Sequence, residues 1–179
     1  MISPTTSLLP LLALLCSNGS LAMHDAAGRM ALVRPFTTHD VHKLVESFTQ
    51  WLPPCSGPRT DVDLVLVSSQ KVVGNAAAMK AVNDIMNPVP SWRGCFQNVK
   101  VYGVGIDPKQ DIYIASAQEE RADWVSGPNR HFEKTIRYVQ GDYETMYLME
   151  GDSVPKKANW LDALMNEVEV QRPFAIIGR

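Results

Sequence analysis

Val62 to Val67 reads VDLVLV, and no other stretch narrows the choice of fold so far. A β-branched run of this kind suits a central strand of a parallel sheet, covered by helices on both faces. The chain alternates around it. Met30 to Val33 is a short apolar run that reads as the first strand, ended by Arg34-Pro35-Phe36. Thr38 then occupies an N-cap position, and Val41, Leu44, Val45, Phe48, Trp51 and Leu52 recur at helical spacing until Pro53-Pro54. Asn75 caps a second helix through Met86, with Met79, Val82 and Met86 on one face. Residues 88–98 read as a loop, and Val99 to Ile106 as a strand weakened by Gly103 and Gly105. Ile112 to Ala115 suggests a short strand and Ser116 to Trp124 a surface helix, within a long connection of the kind that often carries function. Pro128 suits the first turn of a helix whose apolar edge is Phe132, Ile136 and Val139. Thr145 to Met149 fits a buried strand. Asn159 caps a last helix, with Trp160, Leu161, Leu164, Met165 and Val168 inward, and Phe174 to Ile177 reads as a final strand. This order predicts an α/β fold with a mostly parallel sheet and helices on both faces.

A chain of 179 residues, 45% hydrophobic and 20% charged, is the size of one domain and can bury a core. A formal net charge of -2 supplies no basic field for nucleic acid, and no apolar run is long enough to span a membrane. The first 22 residues stand apart. Leu8 to Cys16 is apolar, and Ser20-Leu21-Ala22 is a cleavage site for a secretory signal, although no Lys or Arg precedes the apolar run. The alternative is a disordered apolar tail or a mis-called gene start. The expectation is a signal at residues 1–22, a single α/β domain over 23–179, and residence in the ER or Golgi lumen or outside the cell. Cleavage would remove the sequon at Asn18 together with Cys16. Cys55 and Cys95 would stay, as one disulfide or as two buried thiols.

The chemistry concentrates at Glu150-Gly151-Asp152, directly after the Thr145 run. Two carboxylates one residue apart at a strand's carboxyl end form a hard-oxygen site for Mg²⁺ or Mn²⁺, and the ion can hold a phosphate. Ligands of open α/β sheets gather outside the carboxyl ends of the strands. The plain alternative is a polar turn closed by Pro155.

Gly127 precedes a helix that opens near Asn129-Arg130 and leads to Gly141-Asp142-Tyr143. The apolar run to Met149, Glu150-Gly151-Asp152, Pro155 and Trp160-Leu161-Asp162-Ala163-Leu164 follow. In this order the pieces resemble the nucleotide-sugar glycosyltransferases of the GT-A fold, of the family 2-like kind. The resemblance implies a Rossmann-like sheet, a nucleoside diphosphate sugar as donor, Mn²⁺ or Mg²⁺ as cofactor, and a glycan, protein or lipid acceptor. It implies that Asp152 coordinates the metal directly and that Glu150 contacts it through water, or contacts the ribose. It places Asn129, Arg130 and Gly151 at the donor, and Arg34-Pro35-Phe36 beside the nucleotide with Phe36 against the base. As plain residues, Arg130 is also an ordinary surface charge, Phe36 a core residue, Lys156-Lys157 a solvated pair, His131 structural, and His39 and His42 solvent-facing.

There are departures from the family. Glu150 stands where aspartate is commoner, and Ser68-Ser69-Gln70 stands where many members carry an aspartate that binds the base. Acceptor recognition and the catalytic base lie beyond the acidic motif in that family, and this sequence stops one strand later. A C-terminally incomplete, minimal or inactive domain is therefore expected, and no catalytic base is assigned. The competing expectations are a secreted α/β binding module without chemistry and, further off, a phosphohydrolase needing Asp or His ligands from other loops.

Overall fold

In the computed structural model, which describes residues 28–113 and 126–172, the two most buried strands are β1 (Met30–Phe36) and β2 (Val62–Ser68). They pair in parallel, Met30 opposite Val62 and Phe36 opposite Ser68. β3 (Val99–Gly103) adds to β2 and β4 (Thr145–Leu148) to β1, giving, among the described residues, a four-stranded, all-parallel, Rossmann-like sheet in the order β3-β2-β1-β4.

Alternation along the strands sorts the core into two layers. Met30, Leu32 and Phe36 join Val62, Leu64 and Leu66 beneath α1 (Val41–Thr49), α2 (Ala76–Met86) and α4 (Trp160–Gln171). Ala31, Val33, Val65 and Val67 face the other layer, where Val139 of α3 (Ser126–Val139) packs. Handedness explains the split. The steps from β1 to β2 to β3 run one way across the sheet, and the step from β3 to β4 runs back past β1. Right-handed crossovers then place α3 on the opposite face from α1 and α2. The order reverses between β1 and β4.

Several elements differ from the sequence reading. Pro35 does not stop β1 but sits in register opposite Val67. Val33 turns its carbonyl to β4, accepting from Met149 N at 2.9 Å. Pro35 faces the same side two residues later, past the last β4 pair, so its missing N–H removes no ladder bond. α1 starts at Val41, because the hydroxyl of Thr37, not Thr38, accepts from the backbone of His39 (3.2 Å) and Asp40 (3.1 Å). α2 buries Ala78, Ala81 and Ile85 and leaves Met79 38% exposed, although Asn75 caps it through Ala78 N at 3.1 Å. Asn159 has left-handed backbone (φ 56°) and caps nothing with its side chain. The start of α4 is held instead by Pro54 O, which accepts from Leu161 N at 2.9 Å. β4 is the edge of the sheet among the described residues, with Tyr147 40% exposed.

Residues 88–98 include a 3-10 turn, Ser91–Cys95, that buries Trp92. Cys95 is joined to Cys55 by a disulfide (Cα–Cα 5.6 Å), so the pair is not two thiols. Closing a 40-residue loop restricts the unfolded chain and contributes about 4 kcal/mol. No helix among the described residues is long and apolar enough to cross a membrane. β3 ends at Gly103, short of Ile106, and Ile112 and Tyr113 are not in a strand. The proposed signal at 1–22, the sequon at Asn18, residues 114–115 of the Ile112 strand, the surface helix at 116–124 and the strand at 174–177 lie outside the described residues.

Candidate functional site

The acidic turn is gripped by its backbone. Beyond Met149 the chain folds back, Ser153 N donating to Glu150 O at 3.0 Å. From beneath, Arg34 Nη2 reaches the carbonyls of Glu150 (3.0 Å), Gly151 (2.7 Å) and Ser153 (3.1 Å). It also reaches Ser47 Oγ at 3.0 Å, and that hydroxyl lies 3.1 Å from Gly151 O. Gly151 has no room for more: a Cβ there would lie 2.8 Å from Pro35 O. The Arg34 guanidinium is fully buried over the faces of Phe48 (4.6 Å) and Trp51 (5.0 Å). Burial pushes its pKa down to about 9, with the charge of Asp152 pulling the other way, so it is a cation at neutral pH. Arg34 thus lies under the turn.

Above the turn, outside the carboxyl ends of β1 and β4, is a cavity of ≈ 410 Å³. This is where the strand order reverses, the place where α/β sheets bind ligands. One wall is the acidic turn, with Glu150, Gly151 and Asp152 all on the lining. Pro35 and Phe36 form the floor at the end of β1, and Thr37, Asp40 and Lys43 continue it into α1. Lys43 Nζ pairs with Asp40 at 3.1 Å, and this hydrogen bond raises the ammonium's pKa. Phe36 touches the cavity but is only 4% exposed and belongs to the core.

The second wall is α3. Gly127, His131, Thr135 and Val139 recur every fourth residue and form its buried stripe. Gly127 is fixed by the backbone of Ile112, which leaves no space for a side chain. His131 Nε2 lies 3.1 Å from Val67 O, and burial lowers its pKa, so the ring is a neutral N–H donor to that carbonyl. Thr135 is fully buried, and its hydroxyl has no hydrogen-bond partner among the described residues. Phe132, expected on the inward edge, is 54% exposed at the cavity rim. Tyr113 closes this side, its ring edge-on to His131 at 6.5 Å and its hydroxyl 3.4 Å from Gly127 O. Burial, then the charge of Asp111, holds the Tyr113 phenol above the usual range.

The structure brings Pro35, Phe36, Glu150, Gly151 and Asp152 to one cavity. It does not bring Arg34, Asn129 or Arg130 to the lining: Arg34 is beneath the turn, and the other two are exposed at the opening of α3. Lys156 and Lys157 are exposed off the lining, as are His39 and His42. Ser69 and Gln70 hold the buried carboxylate of Asp111, at 2.7 and 3.0 Å. Among the described residues no three His, Cys, Asp or Glu side chains form a metal-ligand set. The acidic turn therefore fits only the mode in which one or two carboxylates hold a hard cation and water and phosphate complete its shell.

Asp40, Lys43 and Thr135 escaped the sequence reading, which placed Phe132 only on the apolar edge of its helix. The four-residue spacing from Gly127 to Val139 was the signal for the α3 wall, because it marks Thr135 as inward and Phe132 as flanking. A further buried charge lies at the amino end of β2, on the face that α3 covers and opposite to the Arg34 side. Asp63 accepts from Tyr143 Oη (2.9 Å) and Asn98 Nδ2 (2.9 Å), and pairs with Lys100 (3.1 Å) and Arg29 (3.6 Å). Burial alone would raise this carboxyl; the bonds from Tyr143, Lys100 and Asn98 outweigh it and hold the pKa below the usual range. No protein-family profile, curated protein or solved structure matches the chain.

Proposed function

We propose that the cavity binds a nucleoside diphosphate sugar together with Mn²⁺ or Mg²⁺, as the donor-binding domain of a glycosyltransferase of the GT-A type. The observation that carries this reading is the meeting of the acidic turn with the end of β1 at one hollow, at the reversal of strand order. Asp152 and Glu150 would hold the cation. A bound divalent ion supplies positive charge that stabilises a departing diphosphate. Lys43, on the same lining, offers a cation to phosphate oxygens. Arg34 contributes at one remove: with three carbonyls clamped, the turn holds its two carboxylates in place before any ligand arrives. The Cys55–Cys95 disulfide supports a secretory location, since such bonds persist in oxidising compartments.

The test is calorimetry with uridine, guanosine, cytidine and adenosine diphosphates, with and without Mn²⁺. The expected result is heat from one of them only when Mn²⁺ is present, and its loss in Asp152→Asn. Metal-independent heat, or an unchanged signal in that variant, overturns the metal reading. A secreted binding module without metal would then be the better account. One observation favours that second reading: the lining side chains of α3 carry no full charge at neutral pH.

A further inference from the structure

The two walls of the cavity differ in chemistry. The charged lining residues, Asp40, Lys43, Glu150 and Asp152, come from α1, the residue before it and the acidic turn. The α3 wall presents an aromatic face and uncharged polar groups. Phe132 is 54% exposed and, unlike the other exposed apolar side chains, lies on the cavity lining. Thr135 is 0% exposed, yet its hydroxyl has no partner among the described residues. A buried hydroxyl without a partner carries a desolvation cost that a ligand's polar edge would relieve. His131 beside it is already committed to Val67 O and adds no charge.

We propose that the α3 wall is the subsite for a heteroaromatic ring, with Phe132 stacking on its face and the Thr135 hydroxyl bonding its edge. This rests on the reading of the cavity as a nucleotide site and assigns the base to α3. The ring chemistry follows from the pair of groups. An exposed phenyl face attracts a flat π-system, and stacking of a base on such a ring tolerates any base. The single hydroxyl can donate or accept and so sets orientation more than identity. Phe36, the aromatic implied by the family resemblance, is committed to the core and offers almost no free face.

The test uses the full chain and nucleosides, which have no phosphate and need no metal. Uridine, cytidine, guanosine and adenosine are titrated without metal, followed by ligand-observed NMR. At least one is expected to bind weakly. Phe132→Ala should weaken it about tenfold, and Phe132→Trp should retain it. Thr135→Val, which keeps shape and removes the hydroxyl, should also weaken binding; Thr135→Ser should restore it. Phe132 is exposed, so its variants test the idea even if the Thr135 variants fold poorly. If no nucleoside binds, or if Phe132→Ala binds as the parent does, the ring subsite is wrong. A nucleoside diphosphate that binds with Mn²⁺ equally well in parent and Phe132→Ala sinks the subsite and leaves the proposed function standing. Nucleoside binding that Phe132→Ala weakens, with no effect of Mn²⁺ on the diphosphate, does the reverse.

Discussion

Two buried charges at opposite ends of the sheet are handled in opposite ways. Asp63, at the amino end of β2, is surrounded by what a carboxylate requires: a phenol, an amide, an ammonium and a guanidinium. Arg34, near the carboxyl end of β1, has no carboxylate within salt-bridge distance among the described residues. It relies on carbonyl dipoles and two aromatic faces, and its Nε and Nη1 have no hydrogen-bond partner among the described residues. A neutralised, saturated charge can only hold the fold together. One without a salt-bridge partner acts at longer range, here on Asp152 in the acidic turn above it. The first arrangement ties β2 to β3 and to the Gly141-Asp142-Tyr143 turn, away from the cavity. The second sets the geometry of the wall that carries Glu150 and Asp152.

The largest expected effect comes from breaking the saturated end. Asp63→Asn leaves Lys100 and Arg29 facing no anion, and should lower stability by about 3 kcal/mol in urea titrations. Nucleotide affinity should not change. A matching loss of affinity would dissolve the contrast between the two ends.

Acid sharpens the same point. Because the folded pKa of Asp63 is depressed, its contribution is fully present above the unfolded value near 3.9. It fades as pH falls through the lower, folded value. The stability gap between parent and Asp63→Asn should therefore narrow below about pH 4, and a constant gap would mean that the network does not titrate as described.

Arg34→Lys keeps the charge but loses the flat guanidinium over Phe48 and Trp51, and its shorter side chain draws the donor back from the three carbonyls and Ser47 that Nη2 reaches. The expected loss is about 2 kcal/mol, in the range of charged hydrogen bonds to buried acceptors, with weaker metal-dependent binding of the nucleoside diphosphate. Full affinity at reduced stability would make Arg34 as purely structural as Asp63. Gly151→Ala probes the turn without touching the charge. Its Cβ would press on Pro35 O at 2.8 Å, and overpacking of that kind costs about 1–2 kcal/mol. The smallest effect is expected at Asn129→Ala and Arg130→Ala, both exposed and off the cavity lining: within about 0.5 kcal/mol in stability and no change in affinity. Weaker nucleotide binding in Arg130→Ala would restore the role that the family resemblance implies.

The α/β alternation was legible because periodicity is local. Val62 to Val67 announces a strand buried on both faces, and Leu44, Phe48 and Trp51 announce a helix face, from neighbours a few residues apart. The acidic turn was legible for the same reason, as two carboxylates flanking a glycine. Misreadings occurred where a local rule met a distant partner. Pro35 reads as a strand breaker until β4 is known to end beside it. Phe132 reads as inward until the stripe from Gly127 to Val139 claims the sheet-facing side.

What the residue order determined alone was the alternation of the described strands and helices, the parallel character of the sheet and the placing of two carboxylates at residues 150 and 152. What only the tertiary structure decided was which groups meet. Arg34 and the Glu150 carbonyl lie 116 residues apart, Asp63 and Tyr143 lie 80, and no pattern within a window reveals either pair. The physical reason is that a buried charge is stabilised by whatever dipoles and counter-charges the fold brings around it. The roles of Arg34 and Thr135 belong to the packing of β1, α3 and the turn after β4, and not to any motif that contains them.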